Sequence, residues 1–178
     1  MIPPEAEDDT TVDRAVWKIY WNDYMMDAYN YGSEITFHSR DNVEVYNRLV
    51  PPGTVIKSWH SKTNFQSNRI EPSLPIIDGE SSYRIEIDIT EEGNPTVPGY
   101  MLRIVYYDRY DAEAGSNIIR QSGARFKCPL KTYSYDIQLI CAGCTRFNFH
   151  SITIAELEED DEEKQKAIQN SGRGKKTH

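Results

Sequence analysis

The sequence lacks several features that would each have announced a function. No run of about 18 apolar residues occurs, so nothing in it reads as a membrane span. No cluster of Lys and Arg occurs either. Affinity for nucleic acid comes largely from neutralised phosphates, so nucleic acid is excluded as a partner. Cysteine is sparse: Cys128, Cys141 and Cys144 are an odd number and too few for a secreted disulfide scaffold, which agrees with a reducing cytoplasm. The opening MIPPEAEDDTTVD is acidic and broken by proline, without the basic-then-apolar pattern of a signal peptide. The expectation is a soluble, cytoplasmic protein.

Charge is present but concentrated at the ends. The net charge is -8 over 178 residues. Five acids and no base fall in residues 1–13, and seven acids against five bases in residues 156–178. The remainder carries 16 acids and 15 bases and is close to neutral. We therefore divide the chain into an acidic leader (1–14), one folded domain (15–155), and a charged tail (156–178) that is disordered or transiently helical.

Within the domain the pattern is strand after strand. YRIEIDI sets Tyr83, Ile85, Ile87 and Ile89 on one face and Arg84, Glu86 and Asp88 on the other, the period-two alternation of a strand with one wet face. YSYDIQLIC repeats it with Tyr133, Tyr135, Ile137, Leu139 and Cys141 inward. VWKIYW, EITFHS, VEVYNRLV, TVIKSW, MLRIVYYD and FNFHSITIA read as further strands, separated by turns at Gly32, Pro51-Pro52-Gly53, Asp78-Gly79, Gly93-Asn94-Pro95 and Ala142-Gly143. Half-apolar sheets must cover one another, so the expected fold is all-β, an antiparallel β-sandwich of jelly-roll type. In FNFHSITIA the apolar parity changes between Phe149 and Ile152, which predicts a bulge at His150 or Ser151.

The chemical motifs are weak. CAGC (141–144), with Cys128 and His150 as further ligands, offers zinc four donors but no second knuckle; core cysteines around a hairpin turn is the better reading, and no metal or cofactor is expected. His60-Ser61 has no nucleophile elbow, oxyanion loop or partner base, and neither Asp108/Asp111 nor Glu91/Glu92 converges as paired catalytic acids would. The protein is read as a non-enzyme. Twelve tyrosines and three tryptophans exceed what the core needs. Aromatic faces beside Asn, Gln and Arg suit sugar rings, while most aromatics in such folds are core; Tyr106, Tyr107 and Tyr110 stay open between the two.

The order of motifs carries a resemblance. Trp21-Asn22-Asp23, then Tyr29, Tyr31-Gly32-Ser33 and Phe37, then VEVYNRLVPPGTVI (43–56), then WHSKTNFQSNRIEPSLP (59–75), then Gly79, Tyr83, Ile85 and Ile87 resemble the third accessory secretory protein family of the bacterial accessory Sec system, over about residues 16–155. The resemblance implies a cytoplasmic helper, peripheral at the membrane through the export machinery. It would act with the first and second accessory secretory proteins and a SecA-type ATPase to export serine-rich repeat glycoprotein adhesins. It implies binding to the N-acetylglucosamine-bearing preprotein and a sandwich similar to carbohydrate-binding modules. The alternative is a stand-alone lectin-like module. Trp59, Ser61, Asn64, Phe65 and Arg69 on the 58–75 stretch, with Tyr106 and Tyr107, are the candidate ligand- or partner-binding residues.

Overall fold

A computed structural model describes residues 16–21, 28–61 and 74–157. These contain ten strands and no helix: β1 (Val16–Ile19), β2 (Glu34–Ser39), β3 (Asn42–Tyr46), β4 (Val55–His60), β5 (Tyr83–Glu91), β6 (Tyr100–Tyr107), β7 (Glu113–Ile119), β8 (Ala124–Phe126), β9 (Ser134–Cys141) and β10 (Arg146–Glu156). The leader and most of the tail lie outside the described residues.

All pairings are antiparallel. One sheet runs β2-β3-β10-β5-β8, with β1 also on β10; the other runs β4-β9-β6-β7. The eight strands β3 to β10 fall in the orders 3-10-5-8 and 4-9-6-7, the double Greek key of a jelly roll. The expected sandwich is therefore the fold observed.

β10 is its axis. One edge pairs along its length with β5; the other takes β3 at Arg146–Phe149 and β1 at residues 152–155. The register shifts between Phe149 and Ser151, at the expected bulge. That extra residue lets Phe147 and Phe149 point inward and then Ile152 and Ile154 do so too, all four buried. A second shift, between Val55 and Lys57, turns both Ile56 and Lys57 inward, and the Lys57 ammonium lies 5.5 Å from the Trp21 ring centre.

Between the sheets, Trp59 stacks on Phe149 at 5.3 Å while Trp21 meets both rings edge-on. Ile85, Leu102, Ile104, Ile137 and Leu139 complete the centre.

The structure corrects three readings. β7 and β8 were not foreseen, because EAGSNII and ARF carry too few alternating apolar residues to signal a strand. Tyr133 is exposed, since β9 begins one residue later. Residues 142–145 are no hairpin: β9 and β10 belong to different sheets, and the CAGC bend carries the chain across the sandwich.

Candidate functional site

Strand parity decides the fate of the candidate aromatics. Trp59 faces inward and is 1% exposed, its indole N–H donating to the Tyr20 carbonyl at 2.8 Å. Tyr106, also 1% exposed, donates its hydroxyl to Asn117 Oδ1 at 2.8 Å, and burial pushes that hydroxyl's pKa up. Both are core residues that offer no face to a ligand. Ser61 prolongs the ladder beyond β4: its N–H donates to the Tyr135 carbonyl and its Oγ accepts from the Tyr135 N–H. The neighbouring His60 ring turns instead to Asp136, Nδ1 to Oδ1 at 2.7 Å. Asn64, Phe65 and Arg69 lie outside the described residues.

Tyr107 is half-buried, its hydroxyl hydrogen-bonded to Asp136; burial first, and then that carboxylate, raises its pKa. Its backbone does more. The Tyr107 carbonyl accepts from the Tyr133 N–H at 2.7 Å and ties together the two loops at this end of the sandwich, β6–β7 and β8–β9.

Those loops form an open groove of about 390 Å³ lined by Asp108, Arg109, Tyr110, Leu130, Lys131, Thr132 and Tyr133. Tyr110, Leu130 and Tyr133 are 82%, 81% and 67% exposed. Local hydrogen bonds hold them there. Asp108 Oδ1 accepts from the N–H groups of Tyr110 (2.8 Å) and Ala112 (3.1 Å), an Asx turn that closes with Asp111 at a φ of 62°. In the other loop the Thr132 N–H donates to the Pro129 carbonyl at 3.0 Å, which pushes Leu130 outward. Gly79 lets this second turn pass: a Cβ there would lie 2.6 Å from Leu130 Cα.

Two exposed phenol rings and a leucine, with Arg109 and Lys131 beside them, present apolar faces together with cationic donors. That combination suits a ring that stacks by its C–H face and is held by its polar edge, or an aromatic-rich peptide segment. Sequence reasoning left Tyr110 open and missed Leu130 and Tyr133. The available signal was apolar residues within two turn sequences, DRYDA and CPLKT.

The CAGC thiols are buried, with Sγ atoms 3.8 Å apart. Burial, and then the adjacent Cys141, push the Cys144 thiol up to about 12. Cys128 sits in the core near Tyr106 and Tyr135, and His150 hydrogen-bonds with Thr90 and the Asp41 carbonyl. Among the described residues no group of three or more His, Cys, Asp or Glu is placed to hold a metal ion, and no helix is long and apolar enough to cross a membrane.

Comparison with known proteins places this fold. The third accessory Sec system protein of Streptococcus gordonii is 37% identical over 133 residues, spanning 75% of this chain and 82% of that protein. In the solved complex of accessory secretory proteins 1, 2 and 3 of Streptococcus pneumoniae, one chain superposes with a TM-score of 0.72 at 26% identity, covering 79% of this chain and 96% of that one. A chain of the Glycosylation Associate Protein (Gap123) complex of Streptococcus agalactiae gives the same TM-score at 32% identity, covering 80% of this chain and 44% of its own length. The family described as accessory Sec secretory system ASP3 matches residues 28–156, and the chain belongs to that family.

Proposed function

We propose that the protein is a non-catalytic cytoplasmic adaptor of accessory Sec export. It assembles with accessory secretory proteins 1 and 2 and contributes the Tyr110–Leu130–Tyr133 groove to recognition of the glycosylated serine-rich repeat preprotein, ahead of an accessory SecA-type ATPase. The observation that carries this reading is the likeness, over 79% of this chain and 96% of the other, to one chain of a complex of accessory secretory proteins 1, 2 and 3. The groove supports the second half of the reading. Its exposed rings and flanking cations are the chemistry that an N-acetylglucosamine-bearing chain needs, stacking for the pyranose and donors for its hydroxyl and acetamido oxygens.

The lectin-like alternative draws on the same groove but does without partners. Shallow open sites bind weakly alone, and an assembly adds contacts that a single groove lacks. Two measurements separate the readings: co-purification with accessory secretory proteins 1 and 2, and titration with an N-acetylglucosamine-bearing serine-rich peptide. The adaptor reading expects co-purification in both wild type and Tyr110→Ala/Tyr133→Ala, with peptide binding lost in the variant. Failure of wild type to co-purify would leave only the lectin; peptide binding unchanged in the variant would remove the groove.

A further inference from the structure

At the other end of the sandwich a second surface is built around one buried amide. Asn47 follows β3 and is buried in a turn. Its Nδ2 donates to the Tyr31 carbonyl at 2.8 Å and to Ser33 Oγ at 2.9 Å, its Oδ1 accepts from the Leu49 N–H at 2.8 Å, and its own N–H donates to the Thr145 carbonyl at 2.8 Å. Gly32, at a φ of 73°, closes the first turn, and a Cβ added there would lie 3.7 Å from Leu49 Cδ1. The Ser33 hydroxyl donates back to the Tyr29 carbonyl, and the Tyr29 and Tyr31 rings meet edge-on at 6.5 Å. The turns at 29–33 and 47–50 are thereby locked side by side.

What the lock holds is exposed. Tyr31 is 76% and Leu49 is 71% accessible, and Arg48 between Asn47 and Leu49 is exposed as well. Single exposed apolar residues are ordinary. Here, though, a buried amide that donates twice and accepts once fixes the backbone of two large apolar side chains that bury little within the chain. Fixing such residues in advance removes an ordering cost that association would otherwise carry. Tyr and Arg are the residue types that dominate protein interfaces.

Charge identifies what fits. The Arg48 guanidinium lies 5.9 Å from the Tyr46 ring centre, and no carboxylate among the described residues pairs with it. Arg146, stacked on the same Tyr46 ring at 4.3 Å, is by contrast engaged by Glu44 at 3.5 Å and Glu92 at 3.8 Å. Among the described residues, the cation beside the apolar pair that no carboxylate neutralises is therefore Arg48, which leaves it available to an acidic rim on a partner.

We propose that Tyr31, Leu49 and Arg48 form a preformed knob that enters an apolar pocket with an acidic rim on a protein subunit of the accessory Sec assembly. This rests on the reading that the chain assembles with accessory secretory proteins 1 and 2. Tyr31 and Leu49 fill the pocket, Arg48 pairs with its rim, and Asn47 is the positioning residue that keeps the turns together.

The test co-expresses the full chain with accessory secretory proteins 1 and 2 of its own cell and compares wild type, Tyr31→Ala/Leu49→Ala, Arg48→Glu and the groove variant Tyr110→Ala. The knob predicts that wild type and Tyr110→Ala co-elute with the partners. Tyr31→Ala/Leu49→Ala should bind at least about tenfold more weakly, and Arg48→Glu should bind more weakly with a flattened salt dependence. Thermal midpoints of the isolated variants should stay at the wild-type value, because the changed side chains are exposed.

Wild-type assembly with undiminished binding by Tyr31→Ala/Leu49→Ala overturns the knob and spares the assembly reading. Equal loss in Tyr110→Ala also overturns it, since the effect would then have no address. If wild type does not assemble, the assembly reading falls and the knob with it. If the isolated wild type is a dimer that Tyr31→Ala/Leu49→Ala converts to monomer, the occupant is a second copy and the proposal is wrong.

Discussion

Replacing Gly79 by Ala tests whether the groove is a consequence of close packing beneath it. Gly79 has no positive φ, so its need for glycine is steric rather than conformational. A Cβ would meet Leu130 Cα at 2.6 Å, the Pro129 carbonyl oxygen at 2.9 Å and Leu130 N at 3.0 Å. All three are backbone atoms, and backbone cannot swing aside as a side-chain end would. The turn at 129–132 must therefore move, against the Tyr133-to-Tyr107 hydrogen bond that ties it to β6.

Overpacking of this kind costs about 2 kcal/mol, which for a chain of this size is a fall in melting temperature of roughly 4–8 °C. Gly93 supplies the contrast. Nothing lies within 4 Å of a Cβ there, but its φ is 83°, so Gly93→Ala pays only for backbone conformation, about 1 kcal/mol. Calorimetry of both variants should rank Gly79→Ala below Gly93→Ala, and only Gly79→Ala should weaken glycopeptide binding at the groove. A Gly79→Ala protein that melts within about 1 °C of wild type would show that the turn yields freely, and would refute the claim that packing fixes Leu130.

The core reading of Trp59 predicts that Trp59→Ala costs about 3–5 kcal/mol in urea unfolding, through loss of its stack on Phe149 and its bond to the Tyr20 carbonyl; a variant of wild-type stability that fails only in binding would restore the ligand role. Burial of all three thiols predicts that native protein reacts slowly with a thiol reagent at pH 7.5 and that three groups react rapidly in denaturant, with rapid native labelling as the contrary result. Cys144 ionises near 9 when unfolded and at about 12 in the fold, because burial disfavours the thiolate. Its contribution is therefore complete below pH 9 and is lost as pH rises toward 12, reinforced by the buried hydroxyls of Tyr106 and Tyr135, whose pKa values burial also raises. The urea midpoint should fall between pH 8 and pH 10.5, and an unchanged midpoint would contradict the assignment.

Much of the fold could be read from the chain because burial on one face writes itself as alternation. β5, β9 and β10 announce themselves this way, and the parity change in FNFHSITIA foretold the bulge at His150. β7 escaped because it is an edge strand with Gly115, Ser116 and Asn117 at its centre, and β8 because it has three residues. The site was harder to read. Trp59 and Tyr106 have the residue types of a binding face, but only the register with β9 shows that they turn inward with Ile137 and Tyr135. Tyr110 and Tyr133 become a pair through the hydrogen bond between two loops whose residues stand 26 apart in sequence, a relation no local pattern encodes. Asn47 is a similar case. Its neighbours 14 and 16 residues earlier define its role, and nothing in VEVYNRLV says that the amide is buried.

The two surfaces lie at opposite ends of the same strands. The groove hangs on Tyr107 and Tyr133, at the end of β6 and just before β9. The knob is tied to Thr145, just after the CAGC bend that follows β9 and packs against Gly99, before β6. Eight residues of extended strand separate these ends, about 25 Å at ordinary strand rise. Between them stands the aromatic core of Trp21, Trp59 and Phe149. A subunit seated on the knob would therefore leave the groove uncovered, and a chain lying in the groove would not compete for the knob. With no side chain shared between the sites, effects at one should add to effects at the other rather than couple. On the two proposals taken together, the jelly roll would hold partner and preprotein at a fixed distance, a task that calls for a stiff core more than for reactive groups.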